Sequence, residues 1–240
     1  MKDHLLDLVS HTHDLGSIEL VKIVGDDKET VISGLAEDRS IVLEGKLTNP
    51  VADFIGTFGM PNLSKLKILL NLDAYKENAK LALTRRESGS PDGINFENAE
   101  GDFKNSYRFM ASEIINEKLK SVKMKPVTWN IEFQPSVAAI QRLKMQAAAN
   151  SEEPTFQVKT ENGDLKFFFG DHSTHAGNFV FQPGVTGTLK RSWAWPVKTV
   201  IGILDLYGDK TFKISDEGVA MITVNSGLAT YNYMLPAQSK

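Results

Sequence analysis

Three kinds of side-chain grouping in this 240-residue chain are of the types that do chemistry. His11-Thr-His13-Asp14 and Asp171-His172-Ser-Thr-His175 combine imidazole with carboxylate, the donors that hold zinc or iron. Neither has the spacing of a motif with a known mechanism, so both read as surface histidines. The stretch LKRSWAWPVK (189–198) interleaves Trp193 and Trp195 with Lys190, Arg191 and Lys198, a composition suited to stacking single-stranded bases in a charged groove. On a strand the two indoles would share one face, the arrangement of side chains that cover a helix. The third grouping is Lys65, Lys67, Arg142, Lys144 and Lys198, spread over three short apolar-periodic segments that carry no acid. Cations so placed attract phosphates without reading bases.

The rest of the chain sharpens that third grouping. It holds 27 basic and 30 acidic residues, a net charge of -3, and without these five cations 22 basic residues face the 30 acids. Positive charge is therefore concentrated on a few helices while the remainder is acidic. The segments are PNLSKLKILLNL (61–72), SVAAIQRLKMQAAA (136–149) and PVKTVIGIL (196–204). In 136–149, Val137, Ile140, Leu143 and Ala147 recur at helical spacing and predict the buried stripe. Arg142 points away from that stripe and Lys144 lies at its margin. A fourth helix, predicted over 3–15, departs from the pattern by carrying Asp3, Asp7 and Asp14 with three histidines.

Catalysis finds little support. There is no G-x-S-x-G elbow, Walker loop or G-x-G-x-x-G fingerprint, and the chain contains no cysteine, which excludes disulfides and thiolate metal sites. No enzyme activity, metal or other cofactor is expected. No apolar run approaches 18 residues, and the acids and histidines of the N-terminal stretch do not suit a signal peptide, so a soluble intracellular protein is expected.

Between the helices the sequence alternates as antiparallel strands do. TFQVKTENGDLKFFF carries an Asn162-Gly163 turn between alternating apolar residues, the strongest local hairpin signal. Further turns read at 25–27, 91–93, 100–101 and 216–218. The two halves also repeat. Pro61 and Pro196 each open a helix as its first residue, a strand and a hairpin follow, and Tyr107-Arg-Phe-Met110 and Tyr231-Asn-Tyr-Met234 close each half. The expected organisation is a first domain over 1–113, a connector over 114–126 and a second domain of like topology over 127–240.

On these residues the chain resembles a known family. DEGVAMITVNSGLATYNYMLP is similar to the C-terminal hairpin of DNA sliding clamps, and ADFIGTFGMPNLSKLKILLN resembles the helix-bearing part of the first clamp domain in the T-even bacteriophage branch. The resemblance implies an α+β DNA clamp fold: two similar domains of antiparallel sheets with short inner helices, assembling into a ring. It implies a homotrimer joined head to tail, encircling double-stranded DNA and tethering the replicative DNA polymerase for processive synthesis. Lys65, Lys67, Arg142, Lys144 and Lys198 would face the DNA. A partner pocket would lie at Ile114, Ile115, Leu119 and Val122 with Tyr233, Leu235 and Pro236. Subunits would join through the edge strands FKNSYRFM (103–110) and GNFVFQ (177–182). A clamp-loader ATPase and late transcription factors are further partners the resemblance implies, with no membrane, in the cytoplasm of an infected bacterial host. The rival reading is a single-strand nucleic-acid-binding protein using Trp193, Trp195, Lys190 and Arg191. A structural virion protein ranks behind it.

Overall fold

The computed structural model describes residues 1–120, 126–171, 173, 175–238. The chain divides into two compact units, Met1–Val122 with Asn225–Tyr231, and Lys123–Val224 with Asn232–Lys240. In the first, helix α1 (Lys2–Ser10) precedes β1 (Leu20–Gly25), β2 (Thr30–Leu35), β3 (Val42–Leu47) and β4 (Gly56–Pro61). Helix α2 (Leu63–Asn71), strands β5 (Lys80–Arg85), β6 (Pro91–Glu97) and β7 (Lys104–Arg108), and α3 (Ser112–Lys118) follow. The second unit runs β8 (Ile131–Phe133), α4 (Val137–Ala149), β9 (Thr155–Glu161), β10 (Asp164–Phe169), β11 (Gly177–Gln182) and β12 (Trp193–Pro196). It ends with α5 (Val197–Asp205), β13 (Asp209–Ser215), β14 (Val219–Asn225) and β15 (Ala229–Pro236), whose first residues belong to the first unit.

Neighbouring strands in both units pair antiparallel, and apart from β8 the strands of the two units repeat one topology. One sheet of the first unit has the order β4-β1-β2-β3, and one of the second has the equivalent order β11-β10-β9-β12 read in reverse. The succession β5-β6-β7 matches β13-β14-β15. Both units thus have the α+β build expected, antiparallel sheets with few short helices.

Strand alternation explains the cores. In β1 and β2, Val21, Ile23, Thr30 and Ile32 point inward, while Lys22, Val31 and Ser33 line the other face. The Asn162-Gly163 turn forms as the sequence predicts, with φ of 54° and 83°, values a two-residue hairpin needs. It sets Phe167 beside Val158, and a stack follows: Phe156 on Phe167 at 4.5 Å and Phe167 on Phe181 at 4.3 Å between centroids.

Three local expectations are corrected. The turn expected at 91–93 lies at 86–90, where Arg86 N donates to Ser90 O at 2.9 Å. Pro91 instead opens β6 at a register irregularity, where its missing N–H disrupts no regular ladder. Gly93 sits inside that strand, where a Cβ would stand 2.5 Å from the Tyr107 carbonyl oxygen. Pro61 and Pro196 are not first helical residues: Pro61 ends β4 with Asn62 as cap, and Pro196 itself caps α5. The first residues of the expected connector are helical, since α3 runs to Lys118.

Candidate nucleic-acid interface

Each unit packs two helices together, α1 with α2 and α4 with α5. Helix α4 starts at Ser136, whose hydroxyl accepts from Ala139 N at 3.1 Å. Its buried face is Ala139, Ile140 and Leu143, so part of the predicted stripe stands. Val137 does not belong to it: as the first helical residue it is 76 % exposed, ahead of the packed turn. Helix α2 buries Leu63, Leu66, Leu69 and Leu70, and α5 buries Val197, Val200, Ile203 and Leu204. None of α2, α4 and α5 carries an acid in its first turn. Their N-terminal N–H groups therefore add positive partial charge with no carboxylate on the first turn to offset it.

The five cations of these helices divide into two kinds. Lys65, Arg142 and Lys198 are exposed and make no ion pair among the described residues. Lys67 binds Asp14 at 2.7 Å, and Lys144 binds Asp205 at 2.5 Å. Each pair clips the helix that carries the lysine to the neighbouring element of its own unit. Reading the third segment only to Leu204 missed Asp205, the next residue, which cancels Lys144. Large apolar side chains also lie on the open faces, Ile68 on α2 and Met145 on α4. In each unit the helix pair presents a few separated charges over short or apolar side chains, a composition suited to weak phosphate contact and not to reading bases.

Of the partner residues predicted in the first unit, Ile114 is half exposed, while Ile115 is fully buried. Ile115 closes over Gly59 of β4, where a Cβ would come within 2.8 Å of its Cδ1. Leu119 lies over the outward face of β1-β2-β3, where with Lys120 it lines a cavity of about 80 Å³. The rest of the lining comes chiefly from Lys22, Ser33, Leu35, Val42 and Glu44, which the sequence reading omitted although strand alternation puts them on one face. Val122 lies outside the described residues. In the second unit Tyr233 and Leu235 are buried and Pro236 is exposed. The patch as expected thus loses Ile115, Tyr233 and Leu235, which serve packing.

The rival site is also corrected. Trp195 is fully buried and its indole N–H donates to the Leu235 carbonyl at 3.0 Å, so no base can stack on it. Trp193 packs on the β13–β14 turn, against Gly218. The histidines of the first candidate metal group are engaged as well. His11 is buried, lies 3.3 Å from the Asp7 carboxylate and stacks on Tyr231 at 4.6 Å, while His13 binds Glu19. His172 of the second group lies outside the described residues. Among the described residues no three His, Asp or Glu side chains are placed to hold a metal.

Comparison with known proteins gives the fold an external reference. No protein-family model matches the sequence, and no curated protein matches it. Among solved structures, the chain is similar to A. fulgidus PCNA, solved with the C-terminal region of FEN-1 bound, at 10 % identity. That match covers 100 % of this chain and 97 % of the other with a TM-score of 0.73. PCNA from Thermococcus kodakaraensis gives 9 % identity, 99 % and 97 % coverage and a TM-score of 0.69. Proliferating Cellular Nuclear Antigen from Entamoeba histolytica gives 10 %, 97 % and 94 %, and 0.66. The chain has the fold of these clamps.

Proposed function

We propose that the chain is a DNA sliding clamp of the T-even phage type: a homotrimeric ring, closed head to tail, that encircles duplex DNA and holds a DNA polymerase to it. Domains over 1–113 and 127–240 would be joined by the connector 114–126. Lys65, Arg142 and Lys198 would face the DNA, with Lys67 and Lys144 acting mainly as clips. A loader ATPase and late transcription factors would use the outer face, where Ile114, Leu119 and Pro236 supply apolar surface.

One observation carries this reading. Strands β7 and β11 are both terminal in their sheets, and the first unit contains an edge contact of the kind two such strands would make. Strand β3, the counterpart of β11, meets the start of β15, the counterpart of β7. There Thr48 N donates to Leu228 O at 2.8 Å, and Tyr231 covers Gly45. If Phe179 takes the place of Gly45 and Tyr107 that of Tyr231, the same alignment would put Tyr107 of one subunit opposite Phe179 of the next, and Arg108 opposite Asn178. A heterologous contact of this kind closes into a ring when its rotation divides a full turn.

The test is the mass in solution by light scattering over a concentration series. A species near 80 kDa, three times the 26.6 kDa chain, is expected. A strict monomer at every concentration would overturn the ring. The chain has no cysteine, so Asn178→Cys with Arg108→Cys reports the register as disulfide-linked multimers, without background.

A further inference from the structure

In the second unit the outer edge of β13 is covered by the three residues of β8. Ile131, Glu132 and Phe133 lie opposite Ile214, Lys213 and Phe212. Asn130 N donates to Ile214 O at 2.9 Å, Phe133 stacks on Phe212 at 5.5 Å, and the Glu132 carboxylate is 3.1 Å from the Lys213 ammonium. Beneath this strand Phe212 and Ile214 are wholly buried.

The counterpart of β13 in the first unit is β5, which follows α2 as β13 follows α5 and opens the same three-strand succession. Strand β5 is terminal, with no described strand on its outer side. Its inward Leu81 and Leu83 are only half-buried, unlike Phe212 and Ile214. Lys80, on the opposite face, is 73 % exposed, and its amine is 3.6 Å from Glu97. An open edge with apolar side chains left partly uncovered is a template for another strand.

We propose that the edge of β5 receives an extended segment of a partner protein as an added antiparallel strand. The duplicated unit supplies the chemistry of the occupant: a short segment with apolar residues on either side of an acidic one, as in Ile131-Glu132-Phe133. The apolar pair covers Leu81 and Leu83, and the acid, opposite Ala82, reaches Lys80 diagonally along the same face. Main-chain hydrogen bonds give the affinity and the alternating side chains give the selectivity. This site is separate from β7, β11 and the helices, so its test does not depend on the clamp reading.

The probe is a fluorescein-labelled peptide of residues 128–134, TWNIEFQ, titrated into the full chain by anisotropy, with hydrogen exchange read by mass spectrometry. Saturable binding is expected, with amides of 80–85 slowed and those of 104–108 and 177–182 unchanged. Lys80→Glu weakens binding two- to fivefold, the range of an exposed ion pair, and a peptide with Lys in place of its Glu restores it. Leu83→Asp weakens binding at least tenfold. If that variant does not fold, the Lys80 charge swap decides alone. The proposal is overturned by absence of saturable binding at millimolar peptide. It is equally overturned by protection confined to 209–215, where the peptide would have displaced β8, or by equal binding of a peptide whose Ile and Phe are serine.

Discussion

Replacing Tyr231 by Phe removes one oxygen from a buried polar cluster and leaves the ring in place. Asp7 on α1 is the centre of that cluster. Its Oδ2 accepts from the Tyr231 hydroxyl at 2.8 Å and from the Ser226 hydroxyl at 2.9 Å, and His11 lies beside its other oxygen. Tyr231 and His11 are almost wholly buried and the Asp7 side chain is 11 % exposed, so water does not substitute for the lost donor. A hydrogen bond to a charged group contributes about 1.5–3 kcal/mol, and the stack on His11 survives in the variant. The loss at neutral pH is therefore about 2 kcal/mol. Burial pushes the Asp7 carboxyl up, but hydrogen bonds from His11, Tyr231 and Ser226 and the charge of His11 outweigh it, so the group is held below its ordinary value. A carboxyl depressed on folding stabilises the protein above its unfolded pKa, near 4, and loses that contribution as pH falls through the folded value. The gap between wild type and Tyr231→Phe should be full at pH 7 and shrink below about pH 4. Urea unfolding at several pH values, at one protein concentration because assembly shifts midpoints, measures it. A gap under about 0.5 kcal/mol at pH 7, or one that grows in acid, would refute the reasoning.

Other substitutions test other parts of the structure. Neutralising Lys65, Arg142 or Lys198 should each make retention on DNA less salt-dependent, lowering the slope of log affinity against log salt by about 0.9 for each phosphate no longer neutralised. Lys144→Met should change that slope far less, because its amine is already held by Asp205; equal slopes for Lys144 and Arg142 variants would count against the division. Ile115→Ala should destabilise the first unit by about 2–5 kcal/mol in chemical unfolding, as loss of a buried aliphatic side chain. Gly187→Ala should fail to fold, since its Cβ would lie 1.6 Å from the Asn130 carbonyl oxygen; a soluble variant with native circular dichroism would contradict the backbone packing there. Trp195 emission should be blue-shifted and unquenched by oligonucleotides, because the indole is enclosed.

The sequence exposes those features that local physics determines. Strand β11 is legible as GNFVFQ, the Asn162-Gly163 hairpin by its turn chemistry, and the basic helices by their spacing. Features set by tertiary placement are hidden. Helical spacing puts Lys144 at the margin of the stripe and Arg142 away from it, but only packing of α4 on α5 brings Asp205 within 2.5 Å of Lys144. Ile114 and Ile115 are adjacent and alike, yet the helical turn exposes one and drives the other onto Gly59. Trp195 suits a stacking surface by composition alone, and only the fold encloses its indole and bonds it to Leu235. The cavity beneath Leu119 needs three strands in register, and Lys22, Ser33 and Glu44 fall on one rung only when β1, β2 and β3 are assembled.

The central claim is that three chains close around duplex DNA through β7 and β11. Its most direct test oxidises the Asn178→Cys, Arg108→Cys variant in the presence of a circular plasmid and then denatures it in detergent. A covalent ring closed around the DNA should stay with the circle in an agarose gel and be released when the plasmid is cut once. Trimers that form fully cross-linked yet leave the intact circle in detergent, or no cross-link at all, would contradict the account.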